Sequence, residues 1–242
     1  MTVKAQPEQL PLALSLDKAA SFENFFGHQG QRSAAIFSTA VVIEAQPYVL
    51  LYGAHSSGKT HLCSALVNAL DVQGASVTYL SGKELKALPE LKMHEFIDSL
   101  SPANGRDYLV FDDMDALGSG PEIERALFNM FNRYGFVSAQ LVLSVSRPIA
   151  ELGYQLADLV SRLLSGLTVS LLVPDERDFK EILMRLAEQR GMRLEASVSE
   201  FIYTRHTRSI SALVELLEKL DHASLVEKRV LTVPFVKKVL CI

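Results

Sequence analysis

Eight residues carry the most specific chemistry in this chain: Gly53-Ala54-His55-Ser56-Ser57-Gly58-Lys59-Thr60 matches the spacing G-x-x-x-x-G-K-[ST] of a phosphate-binding loop. Each residue type has a reason to be there. Gly53 and Gly58 let the backbone of His55, Ser56 and Ser57 curl so that N–H groups meet phosphate oxygens, and the helix that follows adds the partial positive charge of its first turn. Lys59 can reach a β- or γ-phosphate, and the Thr60 hydroxyl can ligate Mg²⁺. The run 47–52 before the loop is short, apolar and bounded by turn formers, and 61–70 after it places Leu62, Leu66 and Leu70 at helical spacing. Strand, loop and helix therefore come in the order phosphate binding needs.

A second group sits at Asp112-Asp113, where the apolar run 108–111 ends in acid. Asp112 beside the Mg²⁺ shell and Asp113 orienting an attacking water would complete a hydrolytic nucleotide site. The same residues with Asp115 also fit a plainer role, solvating a strand end and capping the next helix. Ser144 and Ser146 end another apolar run, where a hydroxyl could sense a terminal phosphate, although serine is also ordinary turn material.

The elements needed to position these groups are legible as alternation. Helical spacing covers 29–43, the stretch after the loop, 84–100, 122–134 and 156–164. Strand-like runs cover 49–52, 77–80, 108–111, 141–145 and 168–172. This is an α/β pattern predicting a five-stranded, mostly parallel sheet covered on both faces. After Pro174 the spacing is helical throughout, with Asp175 as a cap, Gly191 as a stop, and further helices at 198–204, 209–225 and 234–240. Three units are expected: a flexible tail over 1–21, a nucleotide-binding α/β domain over 22–173, and a helical lid over 174–242.

With 242 residues, 48% of them hydrophobic, the chain can bury a large core. A formal charge of −4 gives no general drive toward nucleic acid. Cys63 and Cys241 have neither disulfide-framework nor zinc spacing. The start shows no signal-peptide pattern, and the longest apolar stretch, 34–43, is too short to span a bilayer. These features predict a soluble, cytoplasmic protein without membrane contact.

Taken together, these motifs resemble the AAA+ nucleotide-binding proteins of the DnaA family, and within it the short Hda branch. Phe22-Glu23-Asn24-Phe25 with Gly27 resembles the box preceding the adenine pocket, so the resemblance assigns Phe25 to nucleotide binding. Gly58-Lys59-Thr60-His61-Leu62 is similar to the family's loop and its continuation, which adds His61. Asp158-Leu159-Val160-Ser161-Arg162-Leu163, with Gly166-Leu167, resembles the segment bearing an arginine finger. That likeness implies that Arg162 acts in trans on a neighbour's γ-phosphate, with Arg147 a second candidate. On spacing alone Arg162 equally suits a surface pair with Asp158 one turn earlier. The ending 231–237 is similar to the Hda branch, and no helix-turn-helix DNA-binding domain follows it in this sequence.

Two departures bear on activity. An arginine that family members place on the third lid helix aligns with Ser211, with Arg208 one turn earlier as a substitute, and Ser146 stands where relatives tend to carry aspartate. Both predict weak or no intrinsic ATPase and a preference for ADP over ATP, with Mg²⁺. In the tail, Gln9-Leu10-Pro11-Leu12-Ala13-Leu14 resembles peptides that dock on the DNA polymerase sliding clamp through Gln9, Leu10, Leu12 and Leu14. Leucines in a tail also commonly pack on their own domain. The resemblance implies a regulator of replication initiation that docks on the clamp, stimulates hydrolysis of DnaA-bound ATP and so prevents re-initiation. The alternatives are an autonomous ATPase of helicase-loader type and a non-catalytic adaptor stapled by nucleotide. A homo-oligomer is compatible with either.

Overall fold

The computed structural model describes residues 16–43, 46, 48–102, 107–135, 139–205, 209–227 and 231–240. Five strands form one sheet: β1 (Tyr48–Gly53), β2 (Ser76–Ser81), β3 (Asp107–Asp112), β4 (Gln140–Val145) and β5 (Leu167–Leu171), in the order β2-β3-β4-β1-β5. Every pairing is parallel. Strands covered on both faces read as nearly continuous apolar runs, and β3 and β4 are buried at all six positions, with Asp107, Asp112, Gln140 and Ser144 as the buried polar residues. The edge strand β5 instead alternates, exposing Thr168 and Ser170 and burying Val169 and Leu171.

The pleat divides the core in two. Val49, Leu51, Val110, Val142 and Val169 face α1 (His28–Ser38) and α2 (Lys59–Val72), packing on Phe37, Leu62, Leu66 and Leu70. On the opposite face, Leu50, Leu109, Phe111, Leu141 and Leu143 meet Leu85 of α3 (Gly82–Leu85) and Met93 and Ile97 of α4 (Glu90–Ser99). They also meet Leu127 and Met130 of α5 (Pro121–Gly135), and Leu159 and Leu163 of α6 (Ala157–Leu164). A third core belongs to the C-terminal helices α7 (Glu176–Gln189), α8 (Ala196–Arg205), α9 (Ile210–Glu227) and α10 (Val233–Leu240), where Phe179, Leu183, Ile202, Leu217, Leu220 and Val236 are buried.

Two helical expectations need correction. The stretch 84–100 is not continuous: α3 and α4 are separate, and Pro89 stands at the start of α4, because proline cannot donate inside a helix but suits its first turn. The expected helix over 29–43 is α-helical only to Ser38 and continues as a π-helical turn over Thr39–Ile43.

From β1 the chain crosses to β2 on one side of the sheet, while β5 returns to the other. The carboxyl end of β1 is therefore a switch point, where open parallel sheets leave a crevice. The far end of the same strand is pinned by Tyr48, whose ring lies edge-on to Phe131 at 4.8 Å and whose hydroxyl donates to the Leu163 carbonyl at 3.2 Å. A Cβ on Gly166 would overlap that ring. Gly166→Ala should therefore lower unfolding free energy by about 1–3 kcal/mol, the usual cost of overpacking, readable as a lower urea midpoint with unchanged slope.

Candidate functional site

The loop after β1 needs backbone that L-residues rarely adopt. Ser56 has φ 64° and Gly58 φ 95°, and the Ser57 N–H donates to the Ala54 carbonyl at 3.2 Å, closing a tight turn before α2. Gly58 is required twice, by this left-handed conformation and because a Cβ there would lie 2.5 Å from the Phe25 ring. A Cβ on Gly53 would likewise lie 2.5 Å from the Ser57 hydroxyl, which is buried and has no hydrogen-bond partner among the described residues. Lys59 is buried and donates to the carbonyls of Gly53 at 2.8 Å and Ala54 at 3.2 Å, so its ammonium stays at the mouth of the loop. His55 is exposed.

Directly behind the loop lies Asp112, 2% exposed. Its Oδ2 accepts from the Thr60 hydroxyl at 2.6 Å and from the Tyr79 hydroxyl at 3.4 Å, and its Oδ1 accepts from the Ser144 hydroxyl. Burial, and then the neighbouring charge of Asp113, push the Asp112 carboxyl above its ordinary pKa, while the hydrogen bonds from Ser144, Thr60 and Cys63 oppose the rise. Asp113 has φ 48° and ψ 43°; its N–H donates to the Ser144 hydroxyl at 2.8 Å, and its carboxylate is ion-paired with Lys83. For Lys83, partial burial works against the charged form, but the hydrogen bond and charge of Asp113, with Asp112 and Asp115, raise its pKa overall. Ser146 donates through both its N–H, at 3.1 Å, and its hydroxyl to Asp115.

The donor set of Thr60 and Asp112 is all oxygen and suits a hard cation such as Mg²⁺. Among the described residues no group of three or more His, Cys, Asp or Glu is placed to hold a metal ion by itself, so phosphate oxygens and water would fill the remaining positions, the usual arrangement for a nucleotide-bound Mg²⁺.

On the other side of the loop, a cleft of about 630 Å³ opens between the sheet and the C-terminal helices. Ser57, Gly58 and His61 form its floor; Asn24, Phe25 and Phe26 one wall; Leu172, Val173, Ile182, Leu186, Ile210 and Val214 the other. Phe25 and His61 pack ring against ring at 5.4 Å. Desolvation lowers the His61 pKa despite the Ser21 carbonyl and Asp17, so the ring is neutral near pH 7 and Nε2–H donates to the Ser21 carbonyl at 3.1 Å.

Two contacts tie the walls together. Asp178 of α7 accepts the His28 N–H at 2.9 Å and so caps α1 from 150 residues away, and the hydroxyls of Ser56 and Ser209 meet at 3.0 Å. Gly27, with φ 95°, lets the chain turn beneath Asp178.

The structure thus brings Thr60, Asp112, Asp113 and Ser144 into one network, and Phe25, Ser57, Gly58 and His61 onto one cleft. The hydroxyls expected to sense phosphate, Ser144 and Ser146, are committed to the three aspartates. Arg162 is exposed on α6, whose opposite face buries Leu159 and Leu163; no ion pair holds it among the described residues, the alternative partner Asp158 included. Arg147 is exposed after β4. Gln9, Leu10, Leu12, Leu14 and Arg208 lie outside the described residues, and Ser211 lies within α9. Sequence reasoning missed Lys83, Asp178, Ser209 and Tyr79. Only Lys83 had a local signal, a cation directly after a strand end and Gly82.

Known proteins share the family pattern and the fold. The family model described as Bacterial DnaA ATPase domain matches residues 16–170, and that described as Hda, lid domain, matches 175–240. An uncharacterized protein of Haemophilus influenzae is 32% identical over 236 residues, covering 96% of this chain and 98% of its own. Domain III of the Thermotoga maritima replication initiation protein DnaA superposes with TM-score 0.76 at 22% identity, covering 93% of this chain and 97% of that one. AMPPCP-bound DnaA from Aquifex aeolicus gives TM-score 0.68 at 20% identity over 84% and 65% of the two chains. The Thermotoga maritima RuvB Holliday junction branch migration motor gives 0.67 at 20% over 92% and 72%. At these identities the solved structures show the shared fold.

Asp178→Ala should leave the first N–H of α1 without its acceptor and cost about 1 kcal/mol, the usual value of a cap. Thermal unfolding checks the loss, and Asp178→Asn, which keeps an acceptor oxygen, should recover most of it.

Proposed function

The chain belongs to the bacterial DnaA ATPase-domain family and carries an Hda-type lid, and on that premise we propose that it is a nucleotide-binding regulator of replication initiation. In this reading it stimulates hydrolysis of ATP held by the initiator DnaA through Arg162 in trans. The observation that carries the proposal is the state of Arg162: exposed and without an ion pair among the described residues, on a helix that ends in the exposed Leu164 and is followed by the exposed Leu167. A guanidinium unpaired among the described residues and bordered by apolar surface is suited to meet a phosphate presented by another molecule. Its planar fork can pair with two phosphate oxygens at once and offset charge as the terminal phosphoryl group leaves.

The chain's own nucleotide would lie in the cleft. Phe25 and the apolar wall at Leu172, Val173 and Ile182 would take its base, and the backbone N–H groups of 55–60 with Lys59 would take its phosphates. Thr60 and Asp112 would hold Mg²⁺, which supplies charge neutralisation at the phosphates. Asp113 would orient a water. The expected preference for ADP rests on Ser211 and Arg208, and docking on the sliding clamp rests on segment 9–14 through Gln9, Leu10, Leu12 and Leu14. A cytoplasmic location follows from partnership with the initiator, and among the described residues no helix is long and apolar enough to cross a membrane.

A second reading, an autonomous ATPase, draws on the assembled Thr60–Asp112 contact. It requires substantial turnover in the purified chain that Asp113→Asn removes, whereas the regulator requires little turnover alone.

The test mixes the chain with ATP-loaded DnaA and clamp on DNA. Arg162→Ala should abolish the acceleration of ATP loss, since fingers of this kind are worth about 10³–10⁵ in rate, while nucleotide binding by the variant is retained. Acceleration equal to wild type by Arg162→Ala would refute the finger assignment.

A further inference from the structure

Arg162 stands on a helix that does not cap itself. The N-cap of α6 is Leu156, extended at φ −75° and ψ 101°, and its apolar side chain makes no cap hydrogen bond. Gln155 before it spends its side-chain amide on the Gly153 carbonyl. The backbone N–H groups of both residues go instead to Oε2 of Glu124, at 2.8 Å from Gln155 and 2.6 Å from Leu156. Glu124 lies in the first turn of α5 and is 3% exposed, and its Oε1 accepts the Gly120 N–H at 3.2 Å. One buried carboxylate therefore holds the entry of two helices, its own and the one that carries Arg162.

The far end of α6 is bonded as well, where the Leu163 carbonyl accepts from the Tyr48 hydroxyl at 3.2 Å. Between the two ends Leu159 and Leu163 are fully buried. Those leucines decide which face of α6 turns outward, but apolar contact is non-directional and says little about tilt. Direction comes from the hydrogen bonds at the ends, which weaken steeply once bent. Arg162 adjoins the Tyr48 pin, so a loosened entry would let α6 tilt about that pin and swing the guanidinium with it.

We propose that Glu124 is a positioning residue for Arg162: by capping α6 from α5 it fixes the direction in which the guanidinium leaves the surface. The inference rests on the reading of Arg162 as a finger acting in trans. A planar fork meets two phosphate oxygens at once only when it is presented at a set angle. Misplacement by about 1 Å, even from a change far from the reacting atoms, can cost about 100-fold in rate. A carboxylate that accepts two successive N–H groups holds them more strongly than a neutral cap would. Glu124 is not among the residues lining the nucleotide cleft, so the chain's hold on its own nucleotide does not depend on it.

The experiment uses the full chain as wild type, Glu124→Met, Glu124→Asp, Glu124→Gln and Arg162→Ala. Each is mixed with ATP-loaded DnaA and clamp on DNA, and calorimetric ADP binding and amide hydrogen exchange are measured on the chain alone. Glu124→Met fills the space without a carboxylate and should lower the saturating rate of ATP loss about 100-fold. The chain concentration giving half-maximal stimulation, and ADP binding, should stay at wild type. Glu124→Asp keeps the charge but draws it back by one methylene, and should lose about tenfold in rate; Glu124→Gln keeps one oxygen for the two N–H groups and should stay within about fivefold of wild type. In the chain alone, Glu124→Met should speed exchange of the Gln155 and Leu156 amides about tenfold. Unchanged exchange, a wild-type rate despite faster exchange, or a loss confined to the half-maximal concentration would each overturn the proposal. Should Glu124→Met fail to bind ADP, Glu124→Asp decides by the same readings, and a wild-type rate there overturns it. Arg162→Ala as active as wild type would overturn the finger reading beneath it, while the exchange rates would still report whether Glu124 holds α6.

Discussion

A single buried carboxylate organises the nucleotide end of this molecule. Asp112 closes β3, and its two oxygens collect hydroxyls from Thr60 on α2, Ser144 on β4 and Tyr79 on β2. A charge this far from water is costly unless it is well bonded, and here each bond comes from a different element. The bonds therefore fix the order and depth of the strands as well as the acid. Thr60 is also the second residue of the helix that starts from the phosphate loop, so whatever holds Asp112 holds the loop at the same height above the sheet. The left-handed turn at Asp113 and its contact with Gly82 extend the same framework to α3.

Opposite this polar side the cleft is bounded by parts of the chain far apart in sequence. Asp178 on α7 caps α1, Ser209 reaches Ser56, and the ring of Phe25, packed against His61, closes over Gly58. The helical lid therefore does not hang from the sheet by its linker alone. A change of lid angle would have to break a cap and a hydroxyl pair, which couples lid position to the segment carrying Phe25 and to the curve of the phosphate loop.

Much of this was legible in the residues. Strands buried on both faces read as nearly continuous apolar runs, so 108–111 and 141–145 stood out, and the loop announced itself because phosphate binding tolerates few residue types at Gly53, Gly58, Lys59 and Thr60. The lid helices followed from apolar spacing after Pro174. What stayed hidden depended on approach in space. Asp178 reads as part of a helix N-terminus beside Asp175, and nothing near it in sequence says that it caps a helix 150 residues earlier. Ser144 reads as a phosphate sensor at a strand end, yet its hydroxyl is used between Asp112 and Asp113. The break at Pro89 was local and readable, but apolar residues at helical spacing on both sides of it, among them Leu85, Met93 and Ile97, masked it.

In the proposed reading the molecule separates two tasks: a closed network that would hold phosphate and cation, and an exposed edge at Arg162 that would act on another molecule. The first is the premise of the second, and it is measured most directly by calorimetric titration of ADP into the nucleotide-stripped chain, with and without Mg²⁺, for wild type and Asp112→Asn. The account predicts one equivalent of ADP bound by wild type, more tightly with Mg²⁺, and an Mg²⁺ effect that disappears in the variant. Absence of binding, or an Mg²⁺ effect of the same size in both proteins, would contradict it.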